Sequence, residues 1–361
     1  MKNRLFSGLV VILQFLPISF ALASSNFSVV GCPENITKQF LDVSLAPGAG
    51  NGDGDGLKPS LAVSCDMAAN TMTVVSNAIP HFTFNQTTPN ALREQPFRHT
   101  ISLNPQIAKE VTKIGDLDNG ANVTLGYIGF TVTGLPIFGP TEAAIPPDSA
   151  FGDPVYNCLL GMPNASHCAD KLANVKGGCG GHTATIYHQH YMVESCFNSA
   201  ASLVAEPWKL PQDISKPSPI IGYAADGFPI YGNLEYDNDS GELIALKSGY
   251  ELKPGQNSES LAWEAFKFSK HNDDKHYLDE CNGHTDSNGN YHYHSTPTFP
   301  YIIGCFRGKP SEVRTQIAVS QADKKLLQHL FSQKNALLRS KSPEYSRVAD
   351  TFNEILTNRC H

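Results

Sequence analysis

The sequence predicts a mainly β fold: a single large domain of two diverged, pseudo-symmetric β-rich halves with a C-terminal α-helical appendage. Three observations predict it. Twenty-nine Gly and 24 Pro are spread along 361 residues, as many short strands joined by turns require. A set of short motifs occurs twice in the same order. One of those motifs contains a hairpin turn, Asp286-Ser-Asn-Gly-Asn290, flanked by β-rich sequence.

The chain opens on a segment that does not belong to the fold. Lys2 and Arg4 precede an apolar stretch from Leu9 to about Leu22, and Ala21-Leu22-Ala23 supplies the small residues a signal peptidase reads. Residues 1–23 therefore read as a signal peptide, cleaved after Ala23. As a membrane anchor the stretch is short, and Pro17 interrupts it. No later segment is apolar for long enough to span a bilayer. The expected product is secreted or periplasmic. The formal charge of −7, with 17% charged residues, lacks the basic excess of a nucleic-acid binder.

Export decides how the nine cysteines read. In an oxidising compartment the default is disulfides, and close neighbours suggest Cys32–Cys65, Cys158–Cys168, Cys179–Cys196 and Cys281–Cys305. Cys360 is left over, free or available to a second chain.

The repeat organises the rest. Gly134-Leu-Pro-Ile-Phe-Gly139 recurs as Gly227-Phe-Pro-Ile-Tyr-Gly232. Downstream, Cys179-Gly-Gly-His182-Thr, Tyr187-His-Gln-His190 and Cys196-Phe197 recur as Cys281-Asn-Gly-His284-Thr, Tyr291-His-Tyr-His294 and Cys305-Phe306. Four shared elements in one order indicate a diverged duplication. Residues 75–309 form the expected domain, with halves of about 75–200 and 215–309. Residues 24–74 read as an N-terminal arm or cap. Its Gly-rich loop carries Asn51, Asp53 and Asp55 in a partial likeness to a calcium loop, but position 12 is Ala62, so a solvated turn is expected. Residues 310–361 read as a helical tail, because Leu326, Leu327, Leu330, Leu337 and Leu338 fall at helical spacing. The tail or Cys360 offers a route to a homo-oligomer.

The histidines carry the chemistry. Of 13, six lie in the repeated motifs: His182, His188, His190, His284, His292 and His294. On an extended strand His292 and His294 share one face and Tyr291 and Tyr293 the other. The hairpin turn brings His284 back beside them, and the same spacing applies to His182, His188 and His190. Neutral imidazoles so placed suit Zn, Cu, Fe or Ni. Either each half builds a three-histidine site, or both motifs surround one site on the pseudo-axis. Alternatively, the histidines brace the hairpins through acids such as Asp279 and Glu280. The four nearby tyrosines, Tyr187, Tyr191, Tyr291 and Tyr293, read as packing residues. No nucleophile elbow, phosphate loop or dinucleotide fingerprint is present.

The block Ile221–Gly232 resembles the YHYH-domain proteins, as do Leu278-Asp-Glu-Cys-Asn-Gly-His-Thr, Tyr291-His-Tyr-His294 and Phe299–Gly308. The resemblance covers about 75–309. It implies an exported protein and assigns no reaction. The first copy departs from it: Gln189 replaces the second Tyr, and the Gly-containing turn is missing. Copper is the expected ion, because imidazole-rich sites in oxidising surroundings suit Cu(II), with zinc second. The expected role is metal sequestration, carriage or sensing. A secreted metal-dependent hydrolase or oxidase is the alternative, and a structural or adhesive surface protein a second one.

Overall fold

Alternation of buried and exposed residues builds the first sheet. Strands β1 (Phe27–Val30), β2 (Leu61–Asp66), β3 (Thr71–Ser76) and β4 (Phe97–Ser102) lie in that order, with β1 parallel to β2 and the others antiparallel. Leu61 and Val63 on β2, Met72 and Val74 on β3, and Phe97 and Ile101 on β4 point into the core, one residue in two. This computed structural model describes residues 26–49, 56–84, 91–114, 127–140, 178–183, 186–237, 240–256, 265–271 and 274–311. The expected arm boundary at 74 falls inside β3. The hairpin from β2 to β3 continues the sheet across it, and Cys32–Cys65 ties the start of the chain to β2.

An eight-stranded sheet follows. Its members are β6 (Tyr127–Thr131), β7 (Pro136–Phe138), β8 (Gly181–Thr183), β9 (Tyr187–Gln189), β10 (Ile220–Ala224), β11 (Pro229–Tyr231), β16 (Gly283–Thr285) and β17 (Tyr291–His294). Between β4 and this sheet comes β5 (Ile107–Lys113), which pairs with β18 (Cys305–Gly308). Two small ribbons, β12 (Leu234–Tyr236) with β13 (Leu243–Ala245) and β14 (Tyr250–Leu252) with β15 (Phe266–Phe268), lie between β11 and β16 in the chain.

The order across the large sheet is β16-β17-β11-β10-β6-β7-β9-β8. At its centre β6 runs antiparallel to β10. Outward on each side come a hairpin partner, a strand parallel to it, and an antiparallel edge strand. The inner hairpins share a register irregularity, between Tyr127 and Gly129 on one side and between Ile220 and Gly222 on the other. Both glycines are there for closeness. A Cβ at Gly222 would stand 2.7 Å from the Phe130 carbonyl oxygen, and one at Gly129 would collide with that of Tyr223.

A single apolar cluster joins both sheets, including Leu61, Met72 and Phe97 from the first and Phe130, Ile137 and Ile230 from the second. Ser76 on β3 donates to the Gly134 carbonyl at 2.6 Å, in the turn between β6 and β7. The expected Cys158–Cys168 bridge, the helical tail and Cys360 lie outside the described residues. Among the described residues, no helix is long and apolar enough to cross a membrane.

Candidate metal centres

Turn chemistry places the second histidine group. Between β16 and β17 the Asp286 carboxylate accepts the N–H groups of Asn288 and Asn290 at 2.9 and 2.8 Å, and Gly289 takes φ +84°. This five-residue turn sets His284 directly across from His292. His294, two residues on, shares the His292 face. The Nε2 atom of His284 lies 3.1 Å from that of His292 and 3.2 Å from that of His294. A fourth donor comes from β12: Glu235 Oε2 lies 2.8, 3.4 and 3.3 Å from the Nε2 atoms of His284, His292 and His294.

The first hairpin repeats the arrangement at the opposite edge of the sheet. His182 stands across from His188, and the Nε2 atoms of His188 and His190 are 2.9 Å apart. The Phe138 ring stacks on His188 with centroids 3.9 Å apart. All three histidines are buried. Each group gathers donor atoms lying within 4.8 Å of one another. The six predicted histidines thus fall into two groups, and no single cluster forms between the halves.

The backbone fixes both groups alike. His190 Nδ1 lies 2.6 Å from the Gly139 carbonyl and His294 Nδ1 lies 2.6 Å from that of Gly232, the closing glycines of the repeated hexapeptide. The His190 and His294 N–H groups donate to the carbonyls of Gly180 and Asn282 at 2.9 and 3.0 Å. Gly180 and Asn282 both hold positive φ, +94° and +65°, a conformation Gly adopts freely and Asn tolerates.

These carbonyls also determine the tautomers. A carbonyl only accepts, so the Nδ1 atoms of His190 and His294 carry hydrogen. So does that of His188, 2.8 Å from the Ile186 carbonyl. In the neutral ring each Nε2 then presents a lone pair. Those of His188 and His190 face each other at 2.9 Å, and that of His294 stands 3.3 Å from the Glu235 carboxylate. Burial drives the His294 pKa down to about 4, against the pull of Glu235, so it is neutral near pH 7. Burial would raise the Glu235 carboxyl, but the neighbouring histidines, His284 foremost at 2.8 Å, outweigh this and hold it well below the usual range.

Four donors about 3 Å apart match the spacing around an ion with bonds of about 2.0–2.2 Å, where tetrahedral neighbours lie ~3.3 Å from each other. The donor set fits a divalent transition metal: neutral imidazoles suit Zn and Cu, and one carboxylate offsets part of the charge.

The other polar groups hold the hairpins. Tyr291 donates to Asp279 at 3.0 Å, and Asp279 accepts the N–H groups of Cys281 and Gly283 at 2.9 and 3.1 Å. Tyr293 donates to Asp226 at 2.6 Å and accepts the Arg307 N–H at 2.7 Å. In the bracing alternative Asp279 and Glu280 would partner the histidines, and neither reaches them. The tyrosines alternate onto the face away from the histidines, so the acid beneath that face meets a phenol. Glu280 gives only its backbone carbonyl, to Tyr250. Sequence reasoning missed Glu235. The available signal was spacing: Glu235 stands three residues after Gly232, as Glu142 stands three after Gly139. Glu142 lies outside the described residues. In the first copy Gln189 occupies the Tyr293 position and donates to Tyr187 at 3.4 Å.

Disulfides Cys179–Cys196 and Cys281–Cys305 each begin three residues before a hairpin histidine, and with Cys32–Cys65 they confirm three expected pairings. Of the serines near the motifs, Ser195 donates to the Pro207 carbonyl at 2.9 Å and Ser295 to that of Met192 at 3.0 Å.

The YHYH protein family matches residues 98–308, more than half of the chain, and the chain belongs to that family. No curated protein and no solved structure matches it.

Proposed function

We propose that this protein binds one transition-metal ion at each hairpin, copper first and zinc second, and sequesters, carries or senses the metal outside the cytoplasm. One observation carries the reading: His188 and His190, their tautomers set by backbone carbonyls, turn two lone pairs toward each other at 2.9 Å inside the protein. Between neutral rings such an arrangement is repulsive, and a metal ion or a bound proton between the nitrogens relieves it. The three disulfides support an oxidising destination. Equal strand order, shared register irregularities and matching carbonyl anchors support two halves related by a pseudo-twofold axis between β6 and β10.

The test is metal content by mass spectrometry on chain isolated without chelators. Two ions per chain are expected, falling to one in His188→Ala/His190→Ala and to one in His292→Ala/His294→Ala. A wild type that holds no metal, and takes up neither copper nor zinc when offered, would refute the reading and leave the histidines as braces.

A further inference from the structure

The two centres differ in access. At the first, His182, His188 and His190 are only 6%, 3% and 2% exposed. At the second, His292 and His294 are buried, but the side chains of His284 and Glu235 are 27% and 21% exposed. Both of these line a cleft of about 450 Å³, within the range of small-molecule sites. The donors form one end of the cleft. Its walls bring Asp237, Asp274 and Asp286 against a single cation, Lys275, which lies 3.5 Å from Asp237. Asp274 meets the His276 ring at 2.7 Å and Asp286 accepts the N–H groups of Asn288 and Asn290; these contacts hold both carboxylates in place and leave their charge to act on whatever enters, and Tyr236 and Tyr277 provide apolar surface beside them.

We propose that the second centre, and not the first, accepts an outside ligand from this cleft: a small cationic amine that also carries a neutral nitrogen donor. The donor would reach the ion past His284 and Glu235, and the cationic end would lie toward Asp274 and Asp286. An anion of the same size meets like charge on those walls and is disfavoured. This rests on reading Glu235 and its three histidines as an ion site, and it adds what the ion receives.

The experiment uses the full chain loaded with Co(II), whose visible absorption reports changes in coordination. It is titrated with two imidazoles of opposite charge, trimethylated histamine and imidazole-4-acetate. The cationic probe should change the spectrum of the wild type and of His188→Ala/His190→Ala, and leave His292→Ala/His294→Ala unchanged. It should bind about tenfold more tightly than the anion, as two nearby carboxylates in partly screened surroundings imply. The preference should shrink toward unity in Asp274→Asn/Asp286→Asn, a surface variant whose Asn side chains can still cap the same turns. Cobalt, copper and zinc all refused at both hairpins remove the parent reading, and cobalt missing from the second centre alone overturns this one. Cobalt that binds at the second centre and responds to neither probe overturns this one. So does equal affinity for the two probes, or a response that survives in His292→Ala/His294→Ala.

Discussion

Ser295 gives its hydroxyl hydrogen to the carbonyl oxygen of Met192 across 3.0 Å. Ser295 follows His294, and Met192 stands two residues past His190. Ordinary bond lengths then keep the Cα atoms of His190 and His294 within about 19 Å of each other. The rings of Tyr191 and Tyr301 meet edge-on at 5.6 Å in the same region. From the first half, Glu194 accepts the Ser218 hydroxyl at 2.5 Å and packs against Gly232, whose carbonyl anchors His294. The two outer hairpins, at opposite edges of the sheet by pairing, are therefore tied together through the segments that follow them.

Ser295→Ala tests that tie. The buried Met192 carbonyl would lose the Ser295 hydroxyl, and the expected cost is about 1–3 kcal/mol of global stability. Denaturant unfolding should show it, with the metal content unchanged. No loss of stability would mean that the bond is incidental.

Glu235→Gln should weaken the second centre alone. The amide keeps the shape and loses the charge that faces three Nε2 atoms at 2.8–3.4 Å. An affinity lower by at least ~10-fold is expected there, with the first centre unaffected. Competition against a chelator of known affinity, run in the His188→Ala/His190→Ala background, isolates the effect. Equal affinity would remove Glu235 from the donor set.

Chelation should lower thermal stability. An ion held at 1,000 times its dissociation constant adds about 4 kcal/mol to the folded state. In a domain of this size that corresponds to a midpoint shift of roughly 10 °C. Calorimetry before and after chelator, and again after copper or zinc is returned, measures it. An unchanged midpoint would count against metal at either hairpin.

Asp226 predicts a specific pH dependence. Burial raises its pKa from 3.8 to about 6, against hydrogen bonds from Tyr293 and Gly308 that pull it down. The folded chain thus holds this proton more tightly than the unfolded chain. The resulting stability is fully present below pH 3.8 and is lost as pH rises through about 6, a change of roughly 3 kcal/mol. His81 and His99, which burial lowers to about 4, act oppositely in the same interval: they cost stability as pH falls from 6.5. Subtracting the unfolding free energy of Asp226→Asn at each pH cancels them. The difference should fall between pH 4 and pH 7 in chelated protein, and a flat difference would contradict the assignment.

Much of this was legible in the sequence because local rules carried it. The alternation of Tyr and His along β17 sets the histidine face, the Asp286–Asn290 turn brings His284 opposite His292, and the repeat transfers both to His182, His188 and His190. Nearest-neighbour pairing found three disulfides because each bridge joins cysteines close along the chain, 33, 17 and 24 residues apart. Glu235 was legible only as a spacing after Gly232 that Glu142 shares after Gly139, not as a donor. It reaches the histidines from a separate ribbon, 49 residues before His284, through a contact that depends on the folded chain. The link from Met192 to Ser295, 103 residues apart, was not legible, because it depends on how the finished sheet brings its two halves together.

The carbonyls of Gly139, Ile186 and Gly232 hold the Nδ1 hydrogens of His190, His188 and His294, so the neutral rings turn no N–H inward. Under the proposed reading, a chain without its ions keeps like-signed electron density confined in its interior and opens more often. Each opening exposes backbone to whatever proteases share its surroundings. Metal supply would then govern how long a molecule survives, and the number of intact copies would itself follow the ion the protein binds.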